Sequence, residues 1–336
     1  MKDLSGSDSI GVSKFYEETN RFSARDFEDS LSNKFINKKG NIKQKYSKKH
    51  TNCPICKKSI DESILAFTKG GYRHWRCNSC ESLYTNPTIK DEIIRNEVYG
   101  TTSYPFLDSV NSPLQLEFDR RRFSKALTII KKDGMKFDKN GVLDFGSGSG
   151  SFLKQCENFG FEKLLGNDLL NSAVSMANSK NKLNEVLLKD GLQDLERITS
   201  EIGLVSLWEF LDHINEPQLF LEKLLKKISL GTYIIVSVRN SDSIAAKVLQ
   251  EKCNMFLGHA HYNFWSNKAI KQLISRSSLK LIDNYQYISE RDVVCNYLNY
   301  ASPYSSSNNN SDLIPSSEEI LKSKQGYKHV VILQKI

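Results

Sequence analysis

Three features of the 336-residue chain predict its fold class. From residue 136 onward, strand-length apolar runs alternate with helix-length amphipathic ones. One of those strands runs into a glycine-rich turn, and upstream four cysteines stand as two tight pairs. Regular strand–helix alternation argues a mostly parallel sheet with helices on both faces. Paired cysteines argue a small unit stapled by a metal. The expectation is an α/β protein with a Rossmann-like, mostly parallel seven-stranded sheet and an N-terminal zinc ribbon.

The elements follow in order. Residues 1 to 50 are polar and rich in Ser, Asn and Lys, with only lysines as charged residues from Lys34 to Lys49; they read as a basic, partly disordered leader. Residues 51 to 90 hold the cysteines. Residues 91 to 135 read as a helical connector, with Leu114, Leu116, Phe118, Phe123, Ala126, Leu127, Ile129 and Ile130 on one face and Gly134 as a stop. Within 136 to 336, strands are expected at 141–145, 163–168, 186–188, 204–207, 233–238, 279–288 and 329–335. Helices are expected at 151–159, 173–177, 218–227 and 268–276. The segment 290 to 324 carries the low-complexity run Ser305 to Ser311 and reads as a mobile insertion able to fold over a site as a lid, with Tyr297, Tyr300 and Tyr304 free to stack on a ligand.

Composition bounds the function. Hydrophobic residues at 39% and charged residues at 26% exclude whole-chain disorder and a fibrous protein. A formal charge of +8 permits an anionic substrate or a nucleic acid and demands neither. The longest apolar run, Tyr233 to Val238, is far short of the roughly 20 residues a membrane span needs. The first ten residues lack the apolar core of a secretory signal. A soluble cytoplasmic protein is the expectation. Cys156, Cys253 and Cys295 are scattered singly, as reduced thiols would be.

Cys53, Cys56, Cys77 and Cys80 form C-x₂-C-x₂₀-C-x₂-C, a zinc-ribbon spacing in which each C-x₂-C turn presents two sulfurs from one knuckle. About forty residues cannot build a sufficient core alone, so a metal is physically needed. With all four positions filled by thiolate, no open position remains for catalysis, and the zinc is structural. His74 and Trp75 read as ribbon packing rather than ligands.

The run Val142 to Gly150 ends a strand and opens a helix as D-x-G-x-G-x-G: Asp144, Gly146, Gly148 and Gly150. Such glycines let backbone approach a ligand and expose N–H groups at a helix start. The dinucleotide fingerprint would need glycine at 151, where Ser151 stands, and a phosphate-binding P-loop would need a Gly-Lys-Ser/Thr that is absent. The next strand ends at Asp168, placed to accept from both hydroxyls of a ribose.

This pattern resembles the class I S-adenosylmethionine-dependent methyltransferases. The resemblance runs over about residues 51 to 285. Leu207 to Pro217 is similar to the family's "vLEHxxxP" segment with Asp212 for the usual glutamate, and His261 to Ser266 to its "H-x-x-F-F-S" segment. It implies S-adenosylmethionine contacts by Asp144, Gly146, Ser147, Gly148, Gly150, Asp168, Asp190, Trp208 and Glu209. Asp168 would hold the ribose, Asp144 the methionine end and Asp190 the adenine amino group. Arg239 and Asn240 stand where the family has Pro-Asn, so Arg239, Asn240 and Tyr262 are the candidates to meet the acceptor, Arg239 by clamping a phosphate. Bacterial methyltransferases of sugar nucleotides and secondary metabolites with such a ribbon imply a small, anionic, hydroxylated acceptor. Oxygen, nitrogen and carbon remain open as the methylated atom, as does the oligomeric state.

A hydroxyl or acidic-carbon nucleophile needs a base, and histidine is the usual one near neutral pH. His261 is the first candidate, His213 the second, and His259 has no family counterpart. Two alternatives stand: a nucleic-acid methyltransferase gripping RNA with the ribbon and the leader lysines, and a non-catalytic S-adenosylmethionine-binding scaffold.

Overall fold

The structure is a computed structural model, which describes residues 11–99, 105–183, 185–276, 278–306 and 313–336. Two helices come first, α1 (Val12–Glu18) and α2 (Arg21–Lys34). The short strand β1 (Ser47–Lys48) pairs with β5 (Thr88–Ile89). Between them lie the ribbon strands β2 (Ser63–Lys69), β3 (Tyr72–Cys77) and β4 (Leu83–Thr85). Helices α3 (Asp91–Ile94), α4 (Pro105–Val110) and α5 (Pro113–Lys132) lead to the large sheet. Ser112 caps α5 by accepting from the Gln115 N–H, and Pro113 sits where its missing N–H costs nothing.

The large sheet is built from β6 (Gly141–Phe145), β7 (Leu164–Asp168), β8 (Val186–Leu188), β9 (Ile202–Trp208), β10 (Tyr233–Arg239), β12 (Leu279–Tyr287) and β13 (Lys328–Lys335). Its order is β12-β13-β10-β9-β6-β7-β8. The pairs among β10, β9, β6, β7 and β8 are parallel, and β13 runs antiparallel to both neighbours. The connecting helices are α6 (Ser151–Asn158), α7 (Asn171–Ser175), α8 (Gly191–Asp194), α9 (Pro217–Lys227), α10 (Ile244–Leu249) and α11 (Asn267–Ile274). After β12 come α12 (Arg291–Leu298) and α13 (Ser317–Lys322). Every residue of β9 and β10 is buried, as a central parallel strand covered on both faces requires. No helix among the described residues is long and apolar enough to cross a membrane.

Three expectations change. Residues 12 to 34, read as leader, are helical, and Val12, Phe15, Ala24 and Phe35 are buried. The α1 start is pinned by the Val12 N–H donating to Asp292 Oδ2 at 2.6 Å. The ribbon is not a separate unit: β11 (Asn263–Phe264), from the loop before α11, pairs with β4 and completes a sheet of order β11-β4-β3-β2. Cys53, Cys77 and Cys80 share one buried cluster with Leu143, Val205, Trp265 and Leu273. The insertion does not line the site with its tyrosines. Tyr304 stacks on Tyr16 with centroids 5.4 Å apart, Tyr297 lies under the Lys252 ammonium, and Tyr300 is fully exposed. Most of the Ser305 to Ser311 run lies outside the described residues.

Candidate active site

The four cysteine Sγ atoms lie within 4.8 Å of one another, with Cys53–Cys80 at 3.8 Å and Cys56–Cys77 at 3.6 Å. A tetrahedron of Zn–S bonds near 2.3 Å has S···S edges of about 3.8 Å, so the quartet fits zinc. His74 is buried with Nδ1 3.3 Å from Thr85 Oγ1, and the Trp75 indole N–H donates to the Asn86 carbonyl at 3.0 Å. Both serve packing.

A cavity of about 780 Å³ opens at the C-terminal ends of the parallel strands, the usual ligand end of such sheets. Gly146, Ser147 and Gly148 form one wall. Gly148 has φ +54° and nothing within 4 Å of where a Cβ would stand, so this turn leaves open space for a ligand. Its N–H donates to Asp168 Oδ2 at 2.9 Å, and the Leu170 N–H to Oδ1 at 2.8 Å. Burial pushes the Asp168 carboxyl up, against these two donors. Gly150 does not line the cavity. Leu183 would stand 2.2 Å from a Cβ there, so this glycine makes room for the buried Leu183 side chain.

Asp144 is buried and accepts from Ser206 Oγ at 2.7 Å; burial pushes its carboxyl up to about 7. The folded pKa thus stands above the usual aspartate value of about 3.9. The folded state holds the extra proton in between, so the stability contribution is complete below that value and is lost as pH rises through the folded pKa. Asp144→Asn should flatten the fall in Tm between about pH 4 and pH 8, with one pKa unit worth about 1.4 kcal/mol. An unchanged pH profile of Tm by calorimetry would contradict this protonation.

Asp190 caps α8, accepting from the Leu192 N–H at 2.8 Å, and pairs with Arg95 at 2.9 Å. Trp208 packs edge-on against Phe123, and its indole N–H is buried at the cavity wall with no hydrogen-bond acceptor among the described residues. Glu209 adopts a left-handed φ of 57°, a strained conformation for a non-glycine residue. This aims its carboxylate among Arg122 (2.7 Å), Arg239 (3.5 Å) and Lys328 (2.5 Å). Burial opposes the charge, yet Lys328, Arg122 and Arg239 together hold that carboxyl well below its ordinary value.

The acceptor-side residues move most. Arg239 is buried, with Nη1 2.7 Å from Asp212 Oδ2 and Nη2 near Glu209, so carboxylates already occupy the guanidinium assigned to an acceptor phosphate. Asn240 is fully buried outside the cavity, bracing the carbonyls of Lys324 and Gly326. Tyr262 is core, its hydroxyl donating to the His259 carbonyl at 2.9 Å.

His213 and His261 do line the cavity, their ring centroids 4.7 Å apart. The loops carrying them are stitched together. The Asp212 carbonyl accepts from the Tyr262 N–H at 2.8 Å, and the Asn263 amide donates to the carbonyls of Leu211 and Ile214. His261 Nδ1 lies 3.1 Å from the Met255 carbonyl, which only accepts, so Nδ1 carries the proton and Nε2 the lone pair. Burial, then the Arg239 cation, pushes His213 down to about 3 and His261 well below its ordinary value. Both imidazoles are neutral at working pH. His259 is fully buried against Glu28, Nε2 to Oε2 3.4 Å.

Sequence reasoning missed Arg122, Tyr99, Lys328 and the α1–α2 pair as cavity wall. One signal was present: Arg122 occupies the apolar face of α5, four residues from Phe118 and Ala126.

A glycine-rich turn after the first strand, an acid at the end of the second and a cavity across the strand ends define an α/β protein that takes up a nucleoside-bearing cofactor. A family model described as a methyltransferase domain matches residues 117–284, half of the chain. The chain belongs to that family and is a class I, S-adenosylmethionine-dependent methyltransferase. Similar solved structures include a SAM-dependent methyltransferase from Archaeoglobus fulgidus (18% identity, 69% of this chain and 100% of that one, TM-score 0.47). Another is the plantazolicin methyltransferase BpumL in complex with SAH (16%, 72% and 93%, TM-score 0.46). A third is magnesium protoporphyrin IX methyltransferase from Synechocystis PCC 6803 with bound SAH (14%, 73% and 94%, TM-score 0.43). Comparison with curated proteins found no match.

Proposed function

We propose that the chain methylates a small hydroxylated acceptor held between the glycine turn and helices α1 and α2, with His261 as the base. The observation that carries this reading is the geometry of His261: Nδ1–H fixed on the Met255 carbonyl, which leaves Nε2 to accept, and a place on the cavity wall. S-adenosylmethionine, when bound, supplies an activated sulfonium methyl. Asp168 would accept from the ribose, Gly146 to Gly148 would give backbone room, Asp144 would face the methionine end and Trp208 and Glu209 would wall the pocket. The chain's own work is to align the acceptor, exclude water and take one proton at His261 Nε2. His213 packs against that ring and fixes its plane. Trp75 is half-buried against the cluster that holds the cysteines, and a ring engaged in that packing favours a small acceptor over RNA. The cytoplasm, where single thiols stay reduced, is the setting this reading implies.

The test is transfer of labelled methyl to a panel of hydroxylated small molecules, with an RNA arm; transfer to RNA alone would reverse the assignment. Asp168→Ala should weaken S-adenosylmethionine binding by roughly 1.5–3 kcal/mol, the value of charge-assisted bonds to a diol. Equal affinities by calorimetric titration would remove Asp168 from the cofactor site.

A further inference from the structure

The cations that line the cavity are not equivalent. Arg95, Arg122, Lys189, Arg239 and Lys328 each lie within 4 Å of a carboxylate. Arg25, on α2, is different. Its Nη2 donates to the Asn254 backbone carbonyl at 3.0 Å and to the Asn254 side-chain Oδ1 at 3.1 Å, both neutral acceptors. Among the described residues no carboxylate lies within ion-pair distance of it. The bracket is itself rigid: the Asn254 amide donates to Tyr16 Oη at 3.1 Å, and its backbone N–H donates to Tyr304 Oη at 2.8 Å. The guanidinium is half-buried on the cavity wall, held in place with its charge unneutralised.

Its place relative to the base is fixed by one short stretch of chain. Arg25 hangs on the carbonyl of Asn254 and His261 on the carbonyl of Met255, the next residue. Consecutive residues are about 3.8 Å apart at Cα, so the two groups are anchored on adjacent residues of the same cavity wall. Two carboxylates face the same chamber, Glu28 toward His259 and Glu290 from the start of α12. Arg21, one turn before Arg25, donates to Gln115 Oε1 at 2.6 Å.

We infer that Arg25 is the acceptor-recognition residue, binding a carboxylate or phosphate that the acceptor carries a few bonds from the atom it methylates. This rests on the small-acceptor reading above and replaces Arg239 with a residue from the segment read as leader. An anion meeting a guanidinium already held in place loses little conformational freedom, and a bidentate contact fixes its orientation.

The experiment titrates inorganic phosphate, acetate and neutral methyl acetate into full-length protein loaded with S-adenosylhomocysteine. Wild type should bind one or both anions and not the ester. Phosphate alone points to a phosphorylated acceptor and acetate alone to a carboxylate. Arg25→Gln should weaken the anion by on the order of 10- to 100-fold with S-adenosylhomocysteine affinity unchanged. Asn254→Asp sets a carboxylate on Arg25 in place of the side-chain amide and should weaken anion binding likewise. Should Arg25→Gln lose S-adenosylhomocysteine too, Asn254→Asp decides. Anion binding unchanged in the variants, or absent from wild type, overturns the inference. Methyl transfer by wild type to RNA alone, with no small molecule accepting, would instead sink the small-acceptor reading beneath it.

Discussion

Replacing Cys77 with serine is expected to abolish zinc binding and, with it, most methyl transfer. A structural zinc contributes on the order of 10 kcal/mol of binding free energy that is also folding free energy. A ribbon that folded on its own would confine such a loss to itself. In the structure the damage has a path to the acceptor side. The ribbon strand β4 pairs with β11, two residues beyond His261, and Ser266, which caps α11, donates to the Cys80 carbonyl. The expected result is a chain with close to no zinc, a kcat that collapses, and an S-adenosylmethionine affinity that changes far less, because the glycine turn stands on β6. Metal analysis beside calorimetric titration and turnover reads all three. A zinc-free variant that turns over normally would show the ribbon to be independent of the site.

His261→Asn should lower kcat by about 10²- to 10⁴-fold, the usual contribution of a positioned base, with S-adenosylmethionine affinity unchanged. The direction of its pKa adds a second signature. Burial, Arg239 and His213 all disfavour the charged ring, so the free base persists well below pH 6. At saturating cofactor the wild-type rate should therefore show no acid limb near an ordinary histidine pKa of about 6.5. His213→Asn, which removes only a ring neighbour, should cost much less. If the His213 variant is the slower enzyme, the roles are exchanged. If neither variant slows, the acceptor needs no base.

Much of this was legible because it is written in contiguous residues. Burial on both faces makes β9 and β10 near-continuous apolar runs, and the turn after β6 needs small residues at fixed offsets, so both stand out in a line of text. The cysteine quartet is legible for the same reason: each knuckle is a local turn, and only the joining of two knuckles is long-range.

The α1–α2 pair was not legible. The buried residues of α2 are Ala24, Glu28 and Ser32, a stripe at helical spacing that is small and polar rather than apolar. Hydropathy is blind to such a face. It is buried because polar partners stand against it: Glu28 meets His259 at 3.4 Å, and the Ser32 carbonyl accepts from the Tyr72 hydroxyl at 3.2 Å.

The sequence by itself determined the seven strands of the large sheet, the cysteine quartet, the glycine turn with Asp168 at the next strand end, and two histidines that the fold brings together in the cavity. Only the tertiary structure decided what each charge does. Arg239 and Arg25 are the same side chain in a sequence. One meets Asp212 and Glu209, from a neighbouring strand end, and the other meets the amide and carbonyl of Asn254, more than two hundred residues away. A guanidinium's role depends on whether its counter-charge is already present, and that is settled by packing between distant segments, which no local pattern records.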